Sequence, residues 1–154
     1  MDIEKTIALI RNNFLENLVF QGATYASINI VTDKNICLYV STNNYWNDLY
    51  HDNNFSSHCH LISAASTIIK QKNDFTLLWD TVLPNTEMSN IIDGHRIRNK
   101  LCHGVSFIQK DASGIIQSIN LASSYGNLMF AKSVIENKEK IFNELRKITQ
   151  IKKL

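Results

Sequence analysis

Apolar side chains recur at Ile3, Ile7, Ile10, Phe14, Leu18 and Val19. That spacing is the period of one helix face. It predicts a helix over 3–20, with Asp2 as N-cap and Gln21-Gly22 as its stop. From residue 23 the period changes to two. Tyr25, Ser27 and Asn29 alternate with Ala26, Ile28 and Ile30, Asp33-Lys34-Asn35 has turn chemistry, and 36–41 returns as a strand. Together these predict a β-hairpin. Ser41, Thr42 or Asn43 then caps a short helix carrying Tyr45, Trp46, Leu49 and Tyr50, which Asn53-Asn54 breaks.

A second helix is predicted over about 57–72, capped at Ser56 or Ser57, with Cys59, Ile62, Ala65 or Ser66, and Ile69 on one face. Phe75-Thr-Leu-Leu-Trp-Asp80 is apolar without clear periodicity and reads as a single helical turn packed on the core. Pro84 and Thr86 open a further helix to about Lys100, carrying Met88, Ile91, Ile92, His95 and Ile97. Residues 102–109 and 115–123 alternate about the turn Lys110–Gly114 and form a second hairpin. Residues 128–151 are predicted as the longest helix, with Ala131, Val134, Ile135, Ile141, Phe142, Leu145 and Ile148 as its stripe. Two hairpins with helices before, between and after them predict an α+β fold. It is an α/β/α sandwich whose central antiparallel sheet is built from the two hairpins, with a PAS- or GAF-like cavity half-closed by the central helices.

The length, 154 residues, suits one domain spanning 1–154. Hydrophobic residues make up 44%, enough for a core. The net charge of +2 is too small to argue for nucleic acid, and no segment is long and apolar enough to span a membrane. Cys37, Cys59 and Cys102 are odd in number and widely spaced. They read as reduced thiols of a cytoplasmic protein rather than a disulfide framework.

Trp46 and Tyr50 stand four apart, so both rings share one helix face. Such a pair is ordinarily a core stripe, but buried indole and phenol groups also need polar partners. His58-Cys59-His60 and Cys102-His103 contain ligand-type side chains. Their spacing fits no zinc motif, and neighbours on a helix diverge by about 100°. No metal or cofactor is therefore assigned. A nucleophile elbow, a phosphate loop and a dinucleotide fingerprint are all missing, so the chain is not read as an enzyme.

The order of elements, together with Ser41-Thr42-Asn43-x-x-Trp46-x-x-x-Tyr50, resembles the autoinducer-binding domain of LuxR-type quorum-sensing regulators. The resemblance covers about residues 20–150. It implies a cytoplasmic signal-sensing domain with a pocket for an acyl-homoserine lactone or another partly apolar molecule. Trp46 would meet the lactone carbonyl, Tyr50 would pack or bond beside the amide, and Trp79 would stack near the ring. Gly104 matches the glycine of the family's GxS/T strand, and Asn120 and Ser106 would orient polar groups. The C-terminal helix would form a homodimer. The family's helix-turn-helix has no counterpart within the chain, so no direct contact with nucleic acid is expected of this domain. The family also carries an aspartate nine residues after its tyrosine, which accepts the ligand's amide N–H; here that position is Cys59. A thiol is a poor acceptor, and losing one charge-assisted bond costs about 1.5–3 kcal/mol. Cys59 therefore points to a non-standard ligand, or to a ligand-free module that pairs with a full-length regulator. A Cys/His metal protein is the weaker alternative.

Overall fold

The structure is a computed structural model that describes residues 22–31 and 37–150, with Glu4, Lys5 and Ala8 before them; for residues 37, 38, 145 and 147–150 it describes the backbone alone. The remainder of the predicted helix over 3–20 and the turn at 33–35 lie outside the described residues.

Among the described residues five strands form one antiparallel sheet: β1 (Ala23–Val31), β2 (Cys37–Ser41), β3 (Asp74–Leu78), β4 (Cys102–Lys110) and β5 (Ile116–Ser123), in the order β2-β1-β5-β4-β3. The two-residue period of the sequence gives the sheet two unlike faces. In register, Val40, Ile28, Ile119 and Phe107 form one row across the strands. All four are buried, with Ala26, Val105 and Leu121 beside them. Helices α4 (Phe130–Glu136) and α5 (Lys138–Gln150) cover this apolar face with Phe130, Val134, Ile141 and Phe142.

The other face carries a polar row. Ser41 pairs with Ser27, Ser27 with Asn120, Asn120 with Ser106, and Ser106 with Leu77. Helices α1 (Asn44–Asp52), α2 (His60–Ile68) and α3 (Glu87–Arg98) lie in the chain between the hairpins. Trp46 and Ile92 from α1 and α3 pack with Tyr25 and Ala122 of this face, and Ala64, Ala65 and Ile68 of α2 pack on Phe75, Leu77 and Ile108. The α+β reading and the helical layer on each side of a central antiparallel sheet are thus present, and the sheet carries one strand more than its two hairpins.

That extra strand corrects the reading of Phe75–Asp80. Residues 74–78 are an edge strand on β4, and only Trp79–Thr81 form a 3-10 turn. Phe75 and Leu77 meet one sheet face while Leu78 meets the other. Both faces being apolar, no alternation shows in the sequence. The helix predicted over 57–72 is also shorter. Asn54 takes a left-handed φ of 52°, Phe55–Ser57 form a 3-10 turn, and α2 starts only at His60. Its inward residues are then His60 and Leu61, while Ile62 is exposed. The predicted 128–151 helix is broken at Asn137, whose N–H and side-chain amide turn back to Val134 and Ser133 carbonyls.

Candidate functional site

The end of the first hairpin fixes the start of α1. Ser41 Oγ accepts from Asn43 N–H at 3.0 Å, and Asn43 Oδ1 accepts from Trp46 N–H at 2.9 Å. This N-cap aims Trp46 inward, where it is 3% exposed. Tyr50, one turn on, lies 5.4 Å from it between ring centroids, and Phe55 of the 3-10 turn closes the cluster at 6.5 and 6.0 Å from the two rings.

Trp79, the residue after β3, lies flat on the backbone of β4. A Cβ at Gly104 would fall 2.0 Å from its ring, so only glycine fits there. The indole Nε1–H donates to Ser106 Oγ at 2.8 Å, Ser106 donates to Asn120 Oδ1 at 2.6 Å, and Asn120 Nδ2 donates to Ser27 Oγ at 2.9 Å. A single hydrogen-bonded chain therefore runs from the edge of the sheet to β1. Ser27 and Ser106 are buried, and the chain satisfies groups that would otherwise be costly there.

Between the two tryptophans stands Arg96. Its guanidinium carbon is 5.6 Å from the ring centroid of Trp46 and 5.6 Å from that of Trp79. Both distances allow cation–π attraction. Arg96 is 5% exposed. Its Nη2 donates to Cys59 Sγ at 2.9 Å; its Nη1 has no hydrogen-bond partner among the described residues and stands 4.0 Å from Asp93 Oδ1. Burial pushes the Cys59 thiol up, but the Arg96 charge, the Tyr50 hydroxyl and the Ile62 N–H outweigh it and hold the thiol below its ordinary value. Tyr25 and Tyr39 share a hydroxyl–hydroxyl contact on the same sheet face. Burial raises Tyr25, Tyr39 and Tyr50 well above the ordinary phenol, so all three stay protonated donors.

Six of the residues singled out in the sequence are linked directly: Trp46 with Tyr50, Trp79 with Gly104 and Ser106, and Ser106 with Asn120. The seventh, Cys59, joins through the Tyr50 hydroxyl and through Arg96, which faces both tryptophans. The other cysteine–histidine pair is elsewhere. Cys102 is buried and raised by that burial and by Asp93 and Asp80. His103 bonds Asp80 Oδ2 at 2.7 Å and the Tyr125 carbonyl at 2.6 Å. Those two residues, with Trp79, Leu83, Pro84 and Asp93, border an open cleft of about 210 Å³. Among the described residues no three His, Cys, Asp or Glu side chains gather as metal ligands.

Arg96, Tyr25 and Ser27 were not read as site residues from the sequence. Ser27 could have been found, because it alternates in phase with Tyr25 and Asn29. Arg96 could not be found from hydropathy, because α3 turns its apolar Met88, Ile91 and Ile97 outward and its Ser89, Ile92 and Arg96 inward.

No family model and no curated protein matches the chain. Solved structures do. The N-acylhomoserine lactone dependent LuxR family transcription factor CepR2 from Burkholderia cenocepacia superposes with a TM-score of 0.62 at 11% identity, over 96% of this chain and 90% of that one. SdiA in complex with octanoyl-rac-glycerol gives 0.64 at 11% identity, over 97% of this chain and 60% of that one. Escherichia coli SdiA gives 0.59 at 11% identity, over 97% and 63%. The chain has the fold of LuxR-family autoinducer-binding domains and spans under two thirds of SdiA.

Proposed function

We propose that this chain is a small-molecule signal-sensing domain of LuxR type, with its ligand held between the polar sheet face and helices α1–α3. The observation that carries the reading is the hydrogen-bonded chain Trp79–Ser106–Asn120–Ser27 set against the aromatic group of Trp46, Tyr50 and Phe55. A core needing only to be filled would be apolar here, as the opposite sheet face is. A row of oriented hydroxyl and amide groups beside aromatic walls is the makeup of a ligand site. The fold likeness supports the same role, since CepR2 is N-acylhomoserine lactone dependent and SdiA is found with octanoyl-rac-glycerol. Both ligands are acyl compounds.

In this reading Trp46, Tyr50, Trp79 and Gly104 form the wall, and Ser106, Asn120 and Cys59 face the polar end. The role is one of binding, not catalysis. The domain dimerises through the C-terminal helix α5 and contacts no nucleic acid itself. No helix among the described residues is long and apolar enough to cross a membrane. Thermal-shift measurements with acyl compounds of stepped chain length test the reading. A ligand at a hundred times its Kd should stabilise the fold by about 2.7 kcal/mol. Sedimentation velocity tests the dimer: a monomer at all concentrations rejects it.

One observation favours a second reading, a ligand-free interaction module. The Arg96 guanidinium itself occupies the space between the two tryptophans. An absence of stabilisation by every acyl compound, with a dimer in solution, would decide for that module.

A further inference from the structure

Arg96 is a buried cation with too few partners. A guanidinium offers five N–H donors. Among the described residues its Nη2 bonds Cys59 Sγ, and Nη1 makes no hydrogen bond. Taking such a charge out of water is costly unless it is paired and hydrogen-bonded. Its carboxylate neighbour does not close the account: Asp93 Oδ1 is 4.0 Å from Nη1, and the Asp93 side chain is 41% exposed and shared with His60 Nε2 at 3.9 Å. The sulfur is shared with the Tyr50 hydroxyl and the Ile62 N–H, and it leaves Nη1 without a hydrogen bond among the described residues. The two tryptophan faces attract the cation but accept no strong hydrogen bond.

Two phenol hydroxyls stand near it as well. The Tyr25 and Tyr50 hydroxyls lie within electrostatic reach of Arg96, and both remain protonated. Where the LuxR resemblance expects a carboxylate to accept from a ligand, this chain has a thiol that already accepts from an arginine. The polarity of this end of the site is therefore reversed: it offers donors and positive charge.

We propose that the polar end of the site is an anion receptor centred on Arg96, taking a ligand whose head is a carboxylate borne on an apolar acyl chain. The inference rests on the sensor reading above. A carboxylate set against Nη1 would gain a charge-assisted hydrogen bond, the stronger kind. Trp46 and Trp79 would hold the guanidinium plane in place, so little order is lost when the ligand arrives. The chain's aromatic and aliphatic residues, Phe55, Ile92 and Leu101, would meet the acyl part. A neutral lactone would leave the buried charge as it stands.

The test uses the whole chain and two matched pairs of probes: N-octanoyl-homoserine lactone with its ring-opened carboxylic acid, and octan-1-ol with octanoate. Affinities are measured by calorimetry at pH 7.5. The acids should bind about tenfold or more tighter than their neutral partners, the factor expected of one charge-assisted hydrogen bond. In Arg96→Met, and in Arg96→Gln, that preference should vanish: the acid-to-neutral affinity ratio should fall to about one, whatever happens to the affinities themselves. Should neither variant fold, by circular dichroism, the acid-to-neutral ratio in the unaltered protein decides by itself. Neutral probes that bind as tightly as the acids would overturn the anion receptor and leave the sensor reading standing. Binding of none of the four probes would overturn both.

Discussion

Gly104 shows how much one missing side chain can decide. Its replacement by alanine would put a methyl group 2.0 Å from the Trp79 ring. The ring cannot give way inward without losing its bond to Ser106. Gly104→Ala should cost about 1–3 kcal/mol, as overpacking does, and should shift the Trp79 indole N–H resonance in the NMR spectrum. Ser106→Ala acts on the same chain from the other side. It strips the Trp79 Nε1 donor and the Asn120 Oδ1 acceptor of their partner together. A fully buried orphan costs about 1–3 kcal/mol; these two are half-buried and cost less each, but losing both together should register in chemical denaturation as a larger loss than for an isolated hydroxyl. His103 gives a prediction in pH. Burial works to lower it, but Asp80 and the Tyr125 carbonyl together hold it above its ordinary 6.5. A folded-state pKa above the unfolded one stabilises the fold fully below pH 6.5 and loses that effect as pH rises through the folded value. Asp80→Asn should flatten this loss, and a histidine NMR titration should find the midpoint back at or below 6.5.

Among the elements, α3 carries the most. It opens with a capping box, in which Thr86 Oγ1 accepts from Ser89 N–H at 3.0 Å and Ser89 Oγ accepts from Thr86 N–H at 2.9 Å. The cap sets the helix phase, and the phase puts Ser89, Ile92 and Arg96 inward. Thr86→Ala should destabilise the chain by about 1 kcal/mol, with the melting temperature as readout. The edge strand β3 is the element that the sequence hid. A helical turn there would have placed Phe75 and Trp79 on one face; as a strand it sends Phe75 and Leu77 to the helices and delivers Trp79 to the end of the sheet.

Across the whole molecule the sheet separates two tasks. One face is a continuous apolar row covered by α4 and α5, which supplies the stability of a core. The other face accepts buried polarity and satisfies Ser27, Ser106 and Asn120 by a chain of hydrogen bonds across the strands, while Arg96 Nη1 above it is left over. Such a division predicts different responses to substitution on the two faces. Ile119→Ala, in the apolar row, should lose about 2–5 kcal/mol without altering any preference among probes. Asn120→Leu, one residue along on the other face, should alter ligand preference in thermal-shift screening.

The alternation of Tyr25, Ser27 and Asn29 with Ala26, Ile28 and Ile30 determined from sequence alone that β1 would have one apolar and one polar face. The second hairpin followed from the same rule, because period two is a property of the backbone. The Trp46–Tyr50 pair and its cap were equally local, since four residues make one helical turn. Tertiary structure alone decided what the polar face meets. Arg96 lies 37 residues from Cys59, and it reaches that thiol only through the packing of α3 against the start of α2. Hydropathy assigns an arginine to the surface, and only neighbours brought in from four separate segments could hold it inside. The sequence showed that the expected carboxylate was missing at Cys59; the fold showed that a positive charge had taken a place beside it.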